Sequence, residues 1–378
     1  MQQSAKDDGG AQEPLVPRMR IAMLAPPWIP IPPPGYGGIE EVVALLCDAL
    51  VERGQDVVLF CAPGSHSRAE VRTLLDAPHP ESIERSLFEA DHVGRAFDAF
   101  DRAADDGTPF DLVHDHCGFT PLAMANRLTL PLVHTVHGPF NQETSGHYSY
   151  HGAKGGLVCI SHSQADAAPE GADVRAVVHN PIDVDAWPVG THKQDYLLWL
   201  GRMVPEKGPQ RAIKVAKTVG RPLVLAGVVQ PGHERFFAKE IEPHIDGELI
   251  SYIGEVGGAR KQQVFADAFA FLMPITWPEP FGMVMVEALA AGTPVIAFSH
   301  GAAPEIIEHG KSGFLVEDED EMASVVERAA DIDPADCRRG AERFSPDKVA
   351  ARYEAVYQEA LARTGAASGR PRAGAPAA

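Results

Sequence analysis

The chain has no paired cysteines. Its five, Cys47, Cys61, Cys117, Cys159 and Cys337, are scattered and odd in number, without a Cys-x-x-Cys spacing. That argues against a disulfide framework or a zinc ribbon and fits a reducing cytoplasm. No apolar run approaches the length of a membrane span. Residues 1–18 are polar and lack the apolar core of a signal peptide, so they read as a disordered extension. Cationic excess is missing too. A net charge of −19 speaks against DNA, RNA and anionic membrane as main partners, whose binding faces are basic. An anionic small substrate stays compatible, because a few local Arg and Lys residues can dominate a pocket. There is no internal repeat at solenoid spacing.

What is present suits a soluble α/β protein. At 378 residues the chain is long enough for two domains. Short apolar runs at 20–25, 56–61, 111–114, 132–136, 157–160 and 174–178 predict strands. A second set lies at 196–200, 222–226, 250–253, 269–273, 294–298 and 313–316. Helical spacings fall between them at 39–53, 81–104, 208–219, 232–244, 259–268, 282–291 and 319–330. Strands apolar on both faces belong in parallel sheets covered by helices. The alternation predicts a doubly wound fold, occurring twice. The expected divisions are a first domain at 19–183, a second at 184–344, and a final amphipathic helix at 345–363. A tail at 364–378, rich in Ala, Gly, Pro and Arg, reads as disordered.

Ligands of open α/β sheets sit beyond the carboxyl ends of the strands. The polar and Gly-rich residues gather there. Gly37-Gly38 precede a helix, where backbone can approach a phosphate, although a lone Gly pair reads more simply as an ordinary βα turn. They are no dinucleotide fingerprint, since Glu40 stands where a third Gly would fall. Arg202 and Lys207 follow a strand and suit phosphate oxygens, or are simply solvated loop cations. Glu279 and Glu287 sit eight positions apart, on a bend and on a helix. Both can face the space above that helix's N-terminus, which favours phosphate while the carboxylates favour hydroxyls. Alone, the pair could equally be a solvated face plus a cap. His137 ends a strand before Gly138-Pro139, a place that also suits a structural histidine. His114 and His116 are expected to diverge across a strand end and lack a third ligand for a metal. Three Asp-x-Asp triplets, at 183–185, 318–320 and 331–333, read as surface features.

These residues resemble family 4 of the retaining glycosyltransferases, which have the two-domain GT-B fold. The likeness runs from Arg20 to about Arg363. It is carried by Tyr36-Gly-Gly-Ile-Glu40, Gly201-Arg-Met-Val-Pro-Glu-Lys-Gly208, Glu279–Glu287 and Ala303-Pro-Glu-Ile-Ile307 leading to Gly313-Phe-Leu-Val316. His300-Gly301-Ala302 departs from the paired glycines usual in the family, and Asn180-Pro181 from a common Asn-Gly. The resemblance implies two Rossmann-like domains facing across a cleft, the first binding acceptor and the second a nucleotide-sugar. The last helix would cross back to the first domain. Arg202 and Lys207 would hold the donor diphosphate, with Gly37 and Gly38 near the phosphates. Glu287 would bind the ribose. Glu279 and the amides of Phe281, Gly282 and Met283 would hold the transferred sugar. His137 would lie near that sugar, with His116 and His137 on the acceptor side. Arg202, Lys207, His137 and Glu279 are thus the candidate catalytic residues.

The leading expectation is a retaining hexosyltransferase with a UDP-sugar donor and a hydroxyl acceptor, working without metal or resident cofactor. A sugar phosphorylase and a non-catalytic nucleotide-sugar binder stand as alternatives. The 39–53 helix carries Glu40, Glu41, Asp48 and Glu52 against Arg53 alone, a poor surface for anionic lipid. A soluble acceptor and a cytoplasmic location are therefore expected.

Overall fold

Apolar runs bounded by loop residues become strands buried on both faces. The computed structural model describes residues 16–35, 37–83, 85–190 and 192–368. The first sheet contains β1 (Arg20–Leu24), β2 (Asp56–Cys61), β3 (Glu70–Thr73), β4 (Leu112–Asp115), β5 (Leu132–Val136), β6 (Gly156–Cys159) and β7 (Val174–Val177). Its order is β3-β2-β1-β4-β5-β6-β7, parallel throughout. The second contains β8 (Leu197–Leu200), β9 (Leu223–Ala226), β10 (Ile250–Tyr252), β11 (Ala270–Met273), β12 (Val295–Phe298) and β13 (Gly313–Val316). Its order is β10-β9-β8-β11-β12-β13, again parallel. Both are doubly wound, each reversing direction at its first strand.

The twelve runs read as strands all form, each end within one residue of expectation. The unanticipated β3 is an edge strand, Glu-Val-Arg-Thr, with no fully buried residue. Charge on an edge blocks pairing with other chains and removes the apolar signal. The helix expected at 232–244 breaks into Glu234–Phe236, a π-helical turn at Phe237–Ile241 and a 3₁₀ turn at Glu242–His244. Helices at Gln142–His151 and Pro334–Glu342 were not anticipated. The three Asp-x-Asp triplets supply helix caps. Asp183, Asp318 and Asp333 each accept a hydrogen bond from a backbone amide two residues on.

The last helix, Pro346–Ser368, extends past 363 and packs into the first domain. Val349, Tyr353 and Tyr357 join the core formed by one face of the first sheet and the Gly38–Glu52 helix. Glu354, 1 % exposed, accepts from Arg53 Nε at 2.9 Å and Gln55 Nε2 at 2.7 Å. A buried carboxylate needs such partners, because losing one would leave an uncompensated charge. Residues 1–15 and 369–378, where disorder was expected, lie outside the described residues.

The carboxyl ends of the two sheets face each other. Glu305, beyond β12, accepts from the amides of His162 and Ser163, beyond β6, both at 2.8 Å. His179, beyond β7, meets the same carboxylate at 2.9 Å.

Candidate active site

In the second sheet β8 and β11 are neighbours, and the chain leaves them in opposite directions. Such a switch point opens a crevice between the two following loops. Lys207 stands on the loop after β8 and Glu279 on the loop after β11. They form an ion pair across the crevice, with side chains only 16 % and 15 % exposed. The Lys207 ammonium also lies 5.0 Å from the centre of the Trp277 ring. Gly208 makes this approach feasible. Its φ is +75°, and a Cβ there would stand 2.4 Å from the Pro274 carbonyl oxygen. Gly227 closes the neighbouring wall, where a Cβ would meet the Gly201 carbonyl oxygen at 1.8 Å.

Glu279 is gripped from behind. Its carbonyl accepts from the Ala302 amide at 3.1 Å. Gly301, with φ +57°, lets the two loops touch, since a Cβ there would lie 2.5 Å from that same carbonyl oxygen. The departure at His300-Gly301-Ala302 therefore keeps a glycine where the backbone needs one. Gly301→Ala should displace Glu279 and lower turnover roughly 10²-fold, the cost of about an ångström of misplacement. Circular dichroism and initial rates would check this; wild-type turnover in a folded variant would contradict it.

Gly282, in the left-handed region with φ +82°, caps the Met283–Ala290 helix. The Met283 and Val284 amides have no intrahelical acceptor and can meet an anion or a hydroxyl, while the Met285 amide already donates to the Gly282 carbonyl at 2.9 Å. The Phe281 ring turns away and is 2 % exposed, against His179 and Phe344. Only its backbone can serve a ligand. Glu287, one turn in, is 9 % exposed. Its Oε1 accepts from Lys261 Nζ at 2.6 Å, while Oε2 is buried with no protein partner. A buried unpaired carboxylate oxygen calls for a donor, and a ligand hydroxyl would supply one.

Across the gap, Gly37 and Gly38 begin the Gly38–Glu52 helix. A Cβ on Gly37 would strike Pro33 at 2.6 Å, whereas one on Gly38 would meet nothing within 4 Å. Packing thus demands the first glycine, and the second leaves open space. Glu41 is exposed, yet its carboxyl is raised above its usual range. Enclosure by the surrounding protein is the main cause. Glu287 adds to it, Lys261 opposes it and Asp183 adds a smaller share. The first helix of one domain therefore feels the charges of the other domain's crevice.

Beside it, at the carboxyl ends of β4 and β5, His116 Nδ1 lies 2.8 Å from His137 Nε2. His114 and His116 do not diverge. Their ring centres are 4.1 Å apart, because residues two apart on a strand share a face and Asp115 takes the other. Asp115 meets His134 Nδ1 at 2.5 Å. Burial first, and neighbouring imidazoles second, push His114 and His116 well below 6.5 and His137 down to about 3. All three are neutral at pH 7.

Of the residues singled out from sequence, the fold joins Lys207 to Glu279 and His116 to His137. Arg202 borders the same crevice, but its guanidinium reaches Gln230, at 3.4 Å, and pairs with neither acid. Glu279 and Glu287 are each held by a different lysine. Lys261 was missed because one cation on an amphipathic helix carries no signal. Trp277, two residues before Glu279, was within reach of the motif. Among the described residues, no cluster of three or more His, Cys, Asp or Glu side chains is arranged to hold a metal ion.

Comparison with known proteins decides the family. Residues 36–186 match the model of Glycosyltransferase Family 4, and residues 185–338 that of Glycosyl transferases group 1. The chain belongs to glycosyltransferase family 4. The D-inositol 3-phosphate glycosyltransferase of Pseudarthrobacter chlorophenolicus is 26 % identical to this glycosyltransferase over 358 residues, 79 % of this chain and 83 % of that one. The crystal structure of AviGT4, a glycosyltransferase involved in avilamycin A biosynthesis, is 29 % identical with a TM-score of 0.67, covering 91 % of this chain and 98 % of its own. Anabaena HepE in complex with UDP is 17 % identical with a TM-score of 0.68, covering 90 % and 100 %, and shows the fold alone. The glycosyltransferase thus has two Rossmann-like domains of seven and six parallel strands in the GT-B arrangement.

Proposed function

We propose that this family 4 enzyme moves a hexosyl group from a UDP-sugar to a hydroxyl of a soluble acceptor, with retention and without a metal. The observation that carries it is the Lys207–Glu279 pair across the switch point, beside Glu287 with its one unpartnered oxygen. Cleaving the bond from sugar to diphosphate builds positive charge on the sugar and further negative charge on the leaving group. Lys207, Arg202 and the free amides at Gly282 and Met283 oppose the second charge. The open carboxylate oxygen of Glu287 accepts from the ribose, and Glu279 positions the sugar. His137, neutral, lies beside the sugar and borders the acceptor. His116, 0 % exposed, stands behind it and acts on that side only through His137. No side chain is assigned as nucleophile. The departing phosphate takes the acceptor's proton on the face it leaves, which keeps the anomeric configuration. With two cations on the diphosphate, no metal and no resident cofactor are needed.

Other features support a soluble acceptor in the cytoplasm. Glu41, held in the cleft mouth near Glu287, repels anionic headgroups. Phe119, 44 % exposed beyond β4 and edge-on to His147, offers an apolar face on the acceptor side. No helix among the described residues is long and apolar enough to cross a membrane. One relative is named for D-inositol 3-phosphate, a small soluble molecule, which agrees with this reading.

A donor-hydrolysis panel tests the proposal. UDP-sugar should be cleaved faster than GDP- or ADP-sugar, and EDTA should leave the rate unchanged. Activity lost in EDTA and restored by Mn²⁺ would overturn the metal-free assignment. A product with inverted anomeric configuration by NMR would overturn retention.

A further inference from the structure

His137 is the cleft end of a buried chain of hydrogen-bonding groups that runs to the last helix. His137 Nε2 meets His116 Nδ1 at 2.8 Å, and His116 Nε2 lies 3.4 Å from His114 Nδ1. His114 Nδ1 meets the Tyr357 hydroxyl at 2.7 Å. His114 Nε2 meets Thr135 Oγ1 at 2.8 Å, which in turn lies 2.9 Å from the Tyr353 hydroxyl. His114, His116, Thr135, Tyr353 and Tyr357 are at most 2 % exposed. The chain spans the first domain from its core to the cleft. Nothing in the proposed reaction uses its inner members.

We infer that the last helix sets the proton arrangement and orientation of His137 through His114 and His116, with Tyr357 as the anchoring residue. A neutral imidazole has one donor nitrogen and one acceptor nitrogen, so fixing one ring in such a chain fixes the next. A phenol is a better donor than acceptor, and an imidazole nitrogen is the better acceptor of the two. Tyr357 therefore donates to His114 Nδ1, which leaves the His114 proton on Nε2, toward Thr135. The single lone pair of His114 Nδ1 is taken by Tyr357 at 2.7 Å, so His116 Nε2, at 3.4 Å, makes only a weaker contact with it. A proton there avoids setting two lone pairs face to face, so His116 carries Nε2–H and offers Nδ1 as acceptor. His137 donates Nε2–H to it. The result is a bare His137 Nδ1, an acceptor for a substrate hydroxyl on the cleft side. Tyr357 is thus a positioning residue, working through two buried rings.

The inference rests on the proposed function only for what His137 touches; the proton arrangement stands by itself. Long-range ¹H–¹⁵N NMR on the full chain reads it directly. All three histidines should show the Nε2–H tautomer. Tyr357→Phe removes the anchoring donor, and the His116 and His137 nitrogens should shift toward a mixture. Turnover should fall roughly tenfold, as for a modestly misplaced group. Val349→Ala, in the same helix and core but outside the chain, controls for lost packing and should keep both signature and turnover. An Nδ1–H tautomer at His137, or nitrogen shifts unmoved in Tyr357→Phe, would overturn the inference. So would an equal effect of Val349→Ala. Undiminished turnover in His137→Ala would instead overturn the place of His137 in the proposed function, leaving the inferred proton arrangement of the wild-type chain intact.

Discussion

Lys207→Ala lowers kcat by roughly 10²–10³-fold, the usual loss when a preorganised charge stabiliser is removed. The side chain is only 16 % exposed and already aligned by Glu279 and the Trp277 ring, so little reorganisation accompanies the reaction. It has three donors and gives only part of them to Glu279, leaving the rest for phosphate oxygens. Removing it also leaves Glu279 facing the leaving group's negative charge with no cation between them. The donor's KM should rise less than kcat falls, because the charge being opposed grows in the transition state. Lys207→Arg should recover part of the loss, since its planar fork keeps the charge but not the point geometry. Steady-state kinetics of donor hydrolysis and transfer would decide this. Turnover within a few-fold of wild type in Lys207→Ala would remove Lys207 from the chemistry.

Stability should drop steeply as the pH falls from 6.5 to 5.5. His92, His114, His116 and His137 are held neutral in the fold, mainly by burial, with His92 pushed down to about 4 and His137 to about 3. In the unfolded chain they titrate near 6.5. Below that pH the unfolded state binds protons that the folded state does not. The stabilisation is therefore complete above pH 6.5 and drains as pH falls toward the folded values. Each histidine loses about 1 kcal/mol across that unit, roughly 4 kcal/mol for the four. Glu40 and Glu41, whose carboxyls are raised, carry the opposite sign and offset a part. A loss of this size is a large share of a typical domain's stability. Urea melts at the two pH values would measure it, and equal unfolding free energies would contradict it. His114→Gln should flatten the dependence by about one proton's share.

The legible parts of the fold share one property. Strands buried on both faces must be apolar without interruption, so runs such as 132–136 and 294–298 declare themselves. The edge strand β3 did not, because solvent on one side and charge along it erase the run. The Gln142–His151 helix also has no apolar stripe, but its capping box at Asn141 and Thr144 was written in the sequence and went unread. In the site, Lys207 and Glu279 were legible because each follows a strand in the same sheet. Lys261 was not, since nothing local distinguishes it from a solvated cation. The divergence expected of His114 and His116 failed on strand geometry itself, which puts alternate residues on one face.

Sequence by itself determined the alternating strands and helices, the twofold Rossmann-like pattern and the loops on which chemistry gathers. Those features answer to local rules: apolar periodicity, glycine where backbone must turn, polar residues where strands end. Only the tertiary structure decided which lysine holds which acid, that Glu41 reaches the field of the opposite domain, and that Tyr357 meets His114 across 243 positions of chain. Such partnerships depend on strand order and on how two domains close. Neither leaves a mark on the spacing of neighbouring residues.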